Sequence, residues 1–260
     1  MSRAPLASLA ARARAARDPR SIGALLRALH ADERAGAASL AASLARRLDA
    51  SRRERVRIAQ LFALRRALQR DGATHVAGVD EVGVGPLAGP VVAAAVILPA
   101  RVELDGLDDS KRVPRAERER LAAAIRAQAV TFAIGEVWPP ELDRLNVYHA
   151  ALEAMRRAVR ALRPAPDHVL VDARTIPGVG APQTSLVGGD ARDGSIAAAS
   201  IVAKVHRDAI MARLEVEHPG YGFSQHMGYA TPDHLRALRR LGPSPIHRLS
   251  FAPCAQSSLL

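Results

Sequence analysis

Four acidic residues stand where the sequence closes a strand or opens a loop. Asp80 and Glu81 end the apolar run that begins at Val76, with Gly83 and Gly85 two and four residues beyond Glu81. Asp172 closes the run Val169-Leu170-Val171, and Asp190 follows Gly188-Gly189 just ahead of a helical stretch that starts at Ser195. Carboxylates carried at the ends of separate strands can converge on one point above a sheet. Hard oxygen donors of this kind suit Mg²⁺ or Mn²⁺, and phosphoryl transfer needs such an ion to polarise the phosphate and to activate water. Four carboxylates around an empty point repel one another, so about two divalent ions would balance them. Taken singly, each is more simply a cap or turn residue; only the set argues for chemistry. Adjacent strand residues point to opposite faces, so Asp80 and Glu81 reach one point only if the strand bends, and the two glycines make a bend available.

The basic residues carry a second signal. Of 37, only Lys111 and Lys204 are lysines, which hints at places where a compact ammonium is needed and a planar guanidinium is not. Lys111 sits in a loop before a helix and reads as a phosphate contact. Lys204 lies four residues before Asp208 on one helix face, where an ion pair along the helix is the alternative. The net charge of +11 is uneven: residues 1–72 hold 16 Arg against 6 acidic residues, and residues 73–260 hold 21 basic against 20 acidic. A basic segment beside a near-neutral body suggests a polyanion held by the first and worked on by the second.

These residues need a scaffold, and the chain alternates in a way that supplies one. Leu25, Leu26 and Leu29, then Leu40, Leu44 and Leu48, recur at helical spacing over 21–48; Val56, Ile58, Leu61, Leu64 and Leu68 do so over 51–69. Asp71-Gly72 ends the pattern, so an all-helical N-terminal region is expected to close near residue 72. Residues 1–17, rich in Ala, Arg and Ser, also have the composition of an organellar transit peptide. Beyond residue 72, short β-branched runs at 76–80, 91–98, 130–137 and 168–172 alternate with helical patterns at 115–128, 142–162 and 195–217, which predicts an α/β domain with a central sheet. The longest apolar run, Val91 to Leu98, is far shorter than the roughly 20 residues of a membrane helix. The single cysteine, Cys254, excludes a disulfide framework and a cysteine zinc site and suits a reducing cytoplasm.

The stretch VDEVGVGPLAGP at 79–90 closely resembles the opening signature of ribonuclease HII. Further segments agree in order: LDDSKR at 107–112, LNVYHAALEAMRRAV at 145–159, LVD at 170–172, GD at 189–190, AAASIVAKVHRD at 197–208, GYGFSQHMGYATPDHL from Gly220, and IHRLSFAP at 246–253. DPRSIGALLRAL at 18–29 is similar, more loosely, to a helical extension carried by some members of that family. The resemblance implies a ribonuclease H-like fold with a central mixed sheet flanked by helices; the chain is also expected to be a cytoplasmic monomer. It implies hydrolysis of the RNA strand of RNA/DNA hybrids and nicking on the 5′ side of ribonucleotides embedded in duplex DNA. The family's metal-binding catalytic carboxylates fall on Asp80, Glu81, Asp172 and Asp190, with a two-ion Mg²⁺ or Mn²⁺ site. Its glycine loop, which reads the ribose 2′-hydroxyl largely through backbone groups, falls on Gly83, Val84 and Gly85. Its junction-sensing tyrosine falls on Tyr229, whose ring would stack on a sugar. Lys111 and Lys204 lie inside matching segments and would bind nucleic acid.

This chain also departs from the pattern. Val84 replaces the usual loop arginine, Gly189 the usual lysine before the fourth aspartate, Gln225-His226-Met227 a Lys-His-Lys, and Ala173-Arg174-Thr175 a Gly-Asn-Arg. The metal ligands are all present while several cationic phosphate contacts are not. Substrate grip is therefore expected to shift in part to the basic N-terminal helices. A hybrid-binding protein that does not cut, and a nuclease that prefers long hybrids, stay open as alternatives.

Overall fold

A computed structural model describes residues 5–16 and 18–257. In chain order the elements are α1 (Leu6–Ala15), α2 (Pro19–His30), α3 (Ala37–Leu61), α4 (Ala63–Arg70), β1 (Val76–Val82), β2 (Val91–Ile97), α5 (Arg115–Gln128), β3 (Thr131–Val137), α6 (Pro139–Leu145), α7 (Val147–Ala161), β4 (His168–Asp172), β5 (Gln183–Leu186), α8 (Gly189–Arg192), α9 (Gly194–Glu217), α10 (Phe223–His226), α11 (Pro232–Leu241) and α12 (Ala252–Ser257). The chain forms two compact units, Met1–Gln60 and Leu61–Leu260. No helix among the described residues is long and apolar enough to cross a membrane.

The first unit is helical. Leu9, Ile22, Leu25, Leu29, Leu44 and Leu48 meet in a small buried cluster. Asp18 caps α2 by accepting the Ser21 amide at 2.9 Å, with Pro19 in the first turn, where its missing N–H costs nothing. The stretch expected as one helix over 21–48 is interrupted: residues 31–36 turn, with Gly36 at φ 93, and α3 then runs unbroken past the expected pause near residue 50. Of residues 1–17, those at 6–15 form α1, while residues 1–4 and 17 lie outside the described residues.

The second unit is built on a five-stranded mixed sheet in the order β3-β2-β1-β4-β5. The central strand β1 pairs antiparallel with β2 and parallel with β4, in the register Val79↔Val171. Glycines and alanines let helices close on both faces. A Cβ on Gly78 would stand 2.0 Å from the Ser195 carbonyl at the start of α9, and one on Gly135 would stand 2.0 Å from the Ala154 oxygen of α7. Ala77, Val79, Ala93 and Ala95 pack with Ala154 and Met155 of α7 in one fully buried cluster. This is the mixed sheet flanked by helices that the strand–helix alternation and the resemblance predict.

Two boundaries differ from those read along the chain. The helix expected over 142–162 is broken at Asn146, which takes φ 59 and caps α7 by accepting from Tyr148 and His149 N–H at 3.0 and 3.1 Å. The composition changes at residue 72, yet α4 packs with the sheet. Leu64 and Leu68 lie on Val76, Leu170 and Ile196, and the buried Arg65 donates to the carbonyls of Leu98 (2.7 Å) and Pro99.

Candidate active site

The parallel pairing of β1 and β4 brings their C-terminal ends side by side, which sets Asp80 and Glu81 beside Asp172. Asp172 then recruits the fourth carboxylate. Its Oδ1 accepts the Gly189 amide at 2.7 Å, tying the first turn of α8 to the end of β4 and bringing in Asp190. Gly188 makes that turn in the left-handed region at φ 65. Asp193 closes α8 and opens α9, accepting from Ser195 and Ile196 N–H at 2.7 and 3.2 Å. From α9, the buried Ser200 stands beside Asp80, and its hydroxyl donates to Ser110 Oγ at 2.9 Å, which anchors the Lys111 loop behind the site.

The four carboxylates feel one another. Burial raises the Asp80 acid well above the usual carboxylate range, and the charges of Glu81, Asp172 and Asp190 add to it, against a lowering bond from Ser200. Burial also raises Glu81, with Arg174 opposing and Asp172 reinforcing. β1 does not bend between Asp80 and Glu81: the strand runs through Val82 and turns only at Gly83, φ 86, and both carboxylates feel the charge of Asp172.

Two cations occupy the cluster. Lys111 Nζ lies 3.1 Å from Asp190 Oδ2 and 4.0 Å from Asp109 Oδ1. Desolvation pulls its pKa down, but Asp190 outweighs that and holds the ammonium above its ordinary value. Arg174 Nη1 lies 3.3 Å from Glu81 Oε1, and its guanidinium stacks 5.2 Å from the Tyr148 ring centroid. Glu81 Oε2 is buried without a hydrogen-bond partner. With side chains so engaged, no group of three or more His, Cys, Asp or Glu among the described residues is arranged ready to hold a metal ion. The donor set nonetheless fits a divalent cation. It offers carboxylate oxygens from four residues, one of them buried and unpartnered, whose charge the fold leaves partly uncompensated.

Beyond Glu81 the chain turns through Gly83, Val84 and Gly85; the fully buried Arg248 holds this loop from beneath, the fully buried Arg207 holds the segment after it, and no spacing argument singles out either. Arg248 donates to the carbonyls of Gly83 (2.5 Å), Val84 (2.9 Å) and Gly89 (2.9 and 3.1 Å). Arg207 donates to those of Ala88, Pro90 and Met227 at 3.1, 3.0 and 3.0 Å. Burial lowers the two pKa values to about 9 and about 10. Tyr229 stands over the loop: a Cβ on Gly85 would lie 3.7 Å from its Cε1, and the residue is 44% exposed. Its carbonyl faces His234 Nδ1 at 2.9 Å; His234 Nε2 meets His247 Nε2 at 3.0 Å; and His247 Nδ1 accepts the Ser244 amide at 2.9 Å. Those partners assign neutral tautomers along the chain, with His247 Nε2–H donating to His234 and His234 Nδ1–H donating to Tyr229. Burial lowers both imidazoles, His247 to about 4.

The family profile of Ribonuclease HII matches residues 77–254. The chain belongs to the ribonuclease HII family. It is 53% identical to the ribonuclease HII of Myxococcus xanthus over 234 residues, 90% of this chain and 80% of that protein. It is 54% identical to that of Moorella thermoacetica over 202 residues, 78% of this chain and 98% of that one. Among solved structures, ribonuclease H2 of Pyrococcus horikoshii aligns with a TM-score of 0.60 at 25% identity, covering 71% of this chain and 97% of its own. RNase HII of Archaeoglobus fulgidus, solved in a complex with PCNA, aligns with a TM-score of 0.57 at 28% identity, covering 68% and 95%. Membership makes the chain a ribonuclease H endonuclease, a hydrolase of phosphodiester bonds.

Within this ribonuclease HII, the structure draws Asp80, Glu81, Asp172, Asp190 and Lys111 into one cluster and sets Gly83, Val84, Gly85 and Tyr229 beside it. Lys204 is placed on Asp208, 2.7 Å away, as the helix-pair alternative has it. The Val84 side chain packs against the sheet core, so the residue that replaces the usual loop arginine is a further internal anchor of the loop. Sequence reasoning missed Arg174, Arg207, His234, His247 and Arg248. In so arginine-rich a chain another arginine carries no signal. The one available cue was Arg248 in the otherwise largely apolar segment IHRLSF.

Proposed function

We propose that this ribonuclease HII cuts the RNA strand of RNA/DNA hybrids and nicks duplex DNA on the 5′ side of single ribonucleotides, leaving 3′-hydroxyl and 5′-phosphate ends. The observation that carries the reading is the four-carboxylate cluster at the ends of β1 and β4, with Asp80 and Glu81 desolvated, next to a glycine loop whose Gly85 is exposed beside the exposed Tyr229. Asp80, Glu81, Asp172 and Asp190 would hold two Mg²⁺ or Mn²⁺ ions, which when bound activate water and stabilise the leaving 3′-oxygen. The chain's own groups do the rest. Lys111, at the rim of the cluster, exchanges Asp190 for a substrate phosphate. The peptide groups of Gly83, Val84 and Gly85 read the 2′-hydroxyl, which both donates and accepts hydrogen bonds. The Tyr229 ring stacks on the neighbouring sugar. Lys204 reaches nucleic acid only by giving up Asp208.

The helical unit Met1–Gln60 carries 13 basic and 5 acidic residues, and we assign it a share of the grip on duplex phosphates. The enzyme would act as a cytoplasmic monomer in the removal of misincorporated ribonucleotides and hybrids. The test is cleavage of two labelled duplexes, one DNA with a single ribonucleotide and one a full hybrid, with Mg²⁺, Mn²⁺ or chelator. Metal-dependent nicking 5′ of the ribonucleotide supports the reading. Cutting the hybrid alone narrows the specificity to long hybrids. Tight binding with no cutting of either duplex overturns it.

A further inference from the structure

Arg207 and Arg248 are fully buried, and neither makes an ion pair among the described residues. Burying a guanidinium away from a carboxylate is costly, and an apolar side chain of similar volume often serves a core better. What both guanidiniums gain is a set of backbone carbonyls. Their partners differ. Arg207 holds the exit of the loop at Ala88 and Pro90, and Arg248 holds the loop itself at Gly83 and Val84.

The direction of those bonds has a consequence fixed by covalent geometry. In a trans peptide the C=O of one residue and the N–H of the next point in opposite directions. The peptides after Gly83 and Val84 are trans. With the Gly83 and Val84 carbonyls drawn inward onto Arg248, the N–H groups of Val84 and Gly85 are turned away from the buried side. Gly85 is also the residue beside which the exposed Tyr229 ring stands.

We infer that Arg248 is a positioning residue for ribose selection: it fixes the Val84 and Gly85 N–H groups toward the substrate without touching the substrate itself. This rests on the reading of Gly83, Val84 and Gly85 as the ribose-sensing loop. It also predicts tolerance of Val84. If the loop is oriented from beneath by Arg248 and by the inward Val84 side chain, the identity of residue 84 matters less than the direction of its peptide.

R248K keeps the charge and most of the stem but gives up the fork; R207K makes the same change one clamp away and retains the stem that packs on Gly83. The readout is ribose preference, taken as the inhibition constant of an all-DNA competitor divided by KM for the duplex with one ribonucleotide. R248K is expected to lower that ratio by about ten- to a hundredfold through a raised KM, with the competitor constant unchanged. R207K is expected to lose thermal stability and keep the ratio. A ratio in R248K within twofold of the wild type, or an equal fall in R207K, overturns the inference. Should R248K not fold, hydrogen-bond scalar couplings from the Arg248 guanidinium to the Gly83 and Val84 carbonyls in the wild-type enzyme decide. Couplings that persist in the ribonucleotide complex, formed in chelator, support it, and couplings lost on binding overturn it. The loop reading is checked separately: in chelator, the ribonucleotide duplex shifts the Val84 and Gly85 amide resonances and the all-DNA duplex does not. If the two duplexes act alike, that reading fails whatever Arg248 does.

Discussion

D80N should make the metal-free protein more stable while removing its activity. Asp80 is 5% exposed, and its charged form is opposed first by burial and then by Glu81, Asp172 and Asp190. Asparagine has the same shape, so the variant removes charge and little else. Relief of a strained, desolvated site of this kind contributes about 0.5–2 kcal/mol. For a domain of 150–250 residues that raises Tm by about 1–8 °C. A divalent ion at a hundred times its Kd adds about 2.7 kcal/mol to the wild type and less to a variant that has lost a ligand. The stability order should therefore be D80N above wild type in chelator, with the gap closing or reversing when Mg²⁺ or Mn²⁺ is added. Cleavage should fall to below about a thousandth. The assay is differential scanning fluorimetry with chelator and with each ion, beside cleavage of the single-ribonucleotide duplex. If D80N melts below the wild type in chelator, Ser200 and Lys111 already satisfy the Asp80 charge, and the account of a repelling, cation-seeking cluster is wrong.

Acid stability tests the histidine chain. His247 is depressed to about 4 in the fold from an ordinary 6.5, so its contribution is fully present above pH 6.5, declines on acidification and is gone by about pH 4. The full loss is about 3 kcal/mol. Urea midpoints measured across that window should fall more steeply for the wild type than for H247N, and parallel curves would show that the imidazole is not held neutral. Deleting residues 1–60 should leave a folded, active nuclease with weaker duplex binding and a shallower dependence of log Kd on log salt. Deleting 1–72 should also cost stability, because it strips Phe62, Leu64, Arg65 and Leu68 from the sheet unit; equal melting of the two truncations counts against the packing described. R174M should bind Mn²⁺ about tenfold more tightly by calorimetry, since the ion no longer displaces a guanidinium from Glu81, and should melt lower in chelator. An unchanged Mn²⁺ affinity refutes the competition.

The strands that carry the site were legible because they are buried on both sides. Val91 to Leu98 has no alternation to misread, and runs such as Val169 to Val171 between polar neighbours leave few other solutions. Polar β5 was not legible: Gln183-Thr184-Ser185-Leu186 is a strand only because it lies on β4. The break at Asn146 was obscured because apolar spacing continues across it from Leu145 to Val147, and the turn at Gly36 falls in a stretch between Leu29 and Leu40 that holds no large apolar residue. Within the site, Asp80, Glu81, Asp172 and Asp190 stand out because carboxylates at strand ends are chemically conspicuous. Arg248 and His247 do not, because their work is done on backbone carbonyls and ring nitrogens far away in sequence, and nothing in their local pattern records those partners.

The scarcity of lysine now has a physical sense at one of its two positions. An arginine beside Asp190 would offer a planar fork able to take both carboxylate oxygens at once, and a divalent ion would have to break two charge-assisted bonds to claim that ligand. Lys111 offers a single contact of 3.1 Å from an ammonium whose side chain is 79% exposed, so it neutralises the cluster without locking it. Arg174 is the opposite case. Held between Glu81 and the Tyr148 ring, with a side chain 23% exposed, it is the less mobile cation and stands on the carboxylate whose second oxygen is already buried and unpartnered. The two cations thus divide the cluster. The Asp190 side opens by the swing of one flexible chain, and the Glu81 side opens only by displacing a stacked guanidinium. On the proposed two-ion site, entry at Glu81, more than at Asp190, would then be the step that the Ala173-Arg174-Thr175 departure controls.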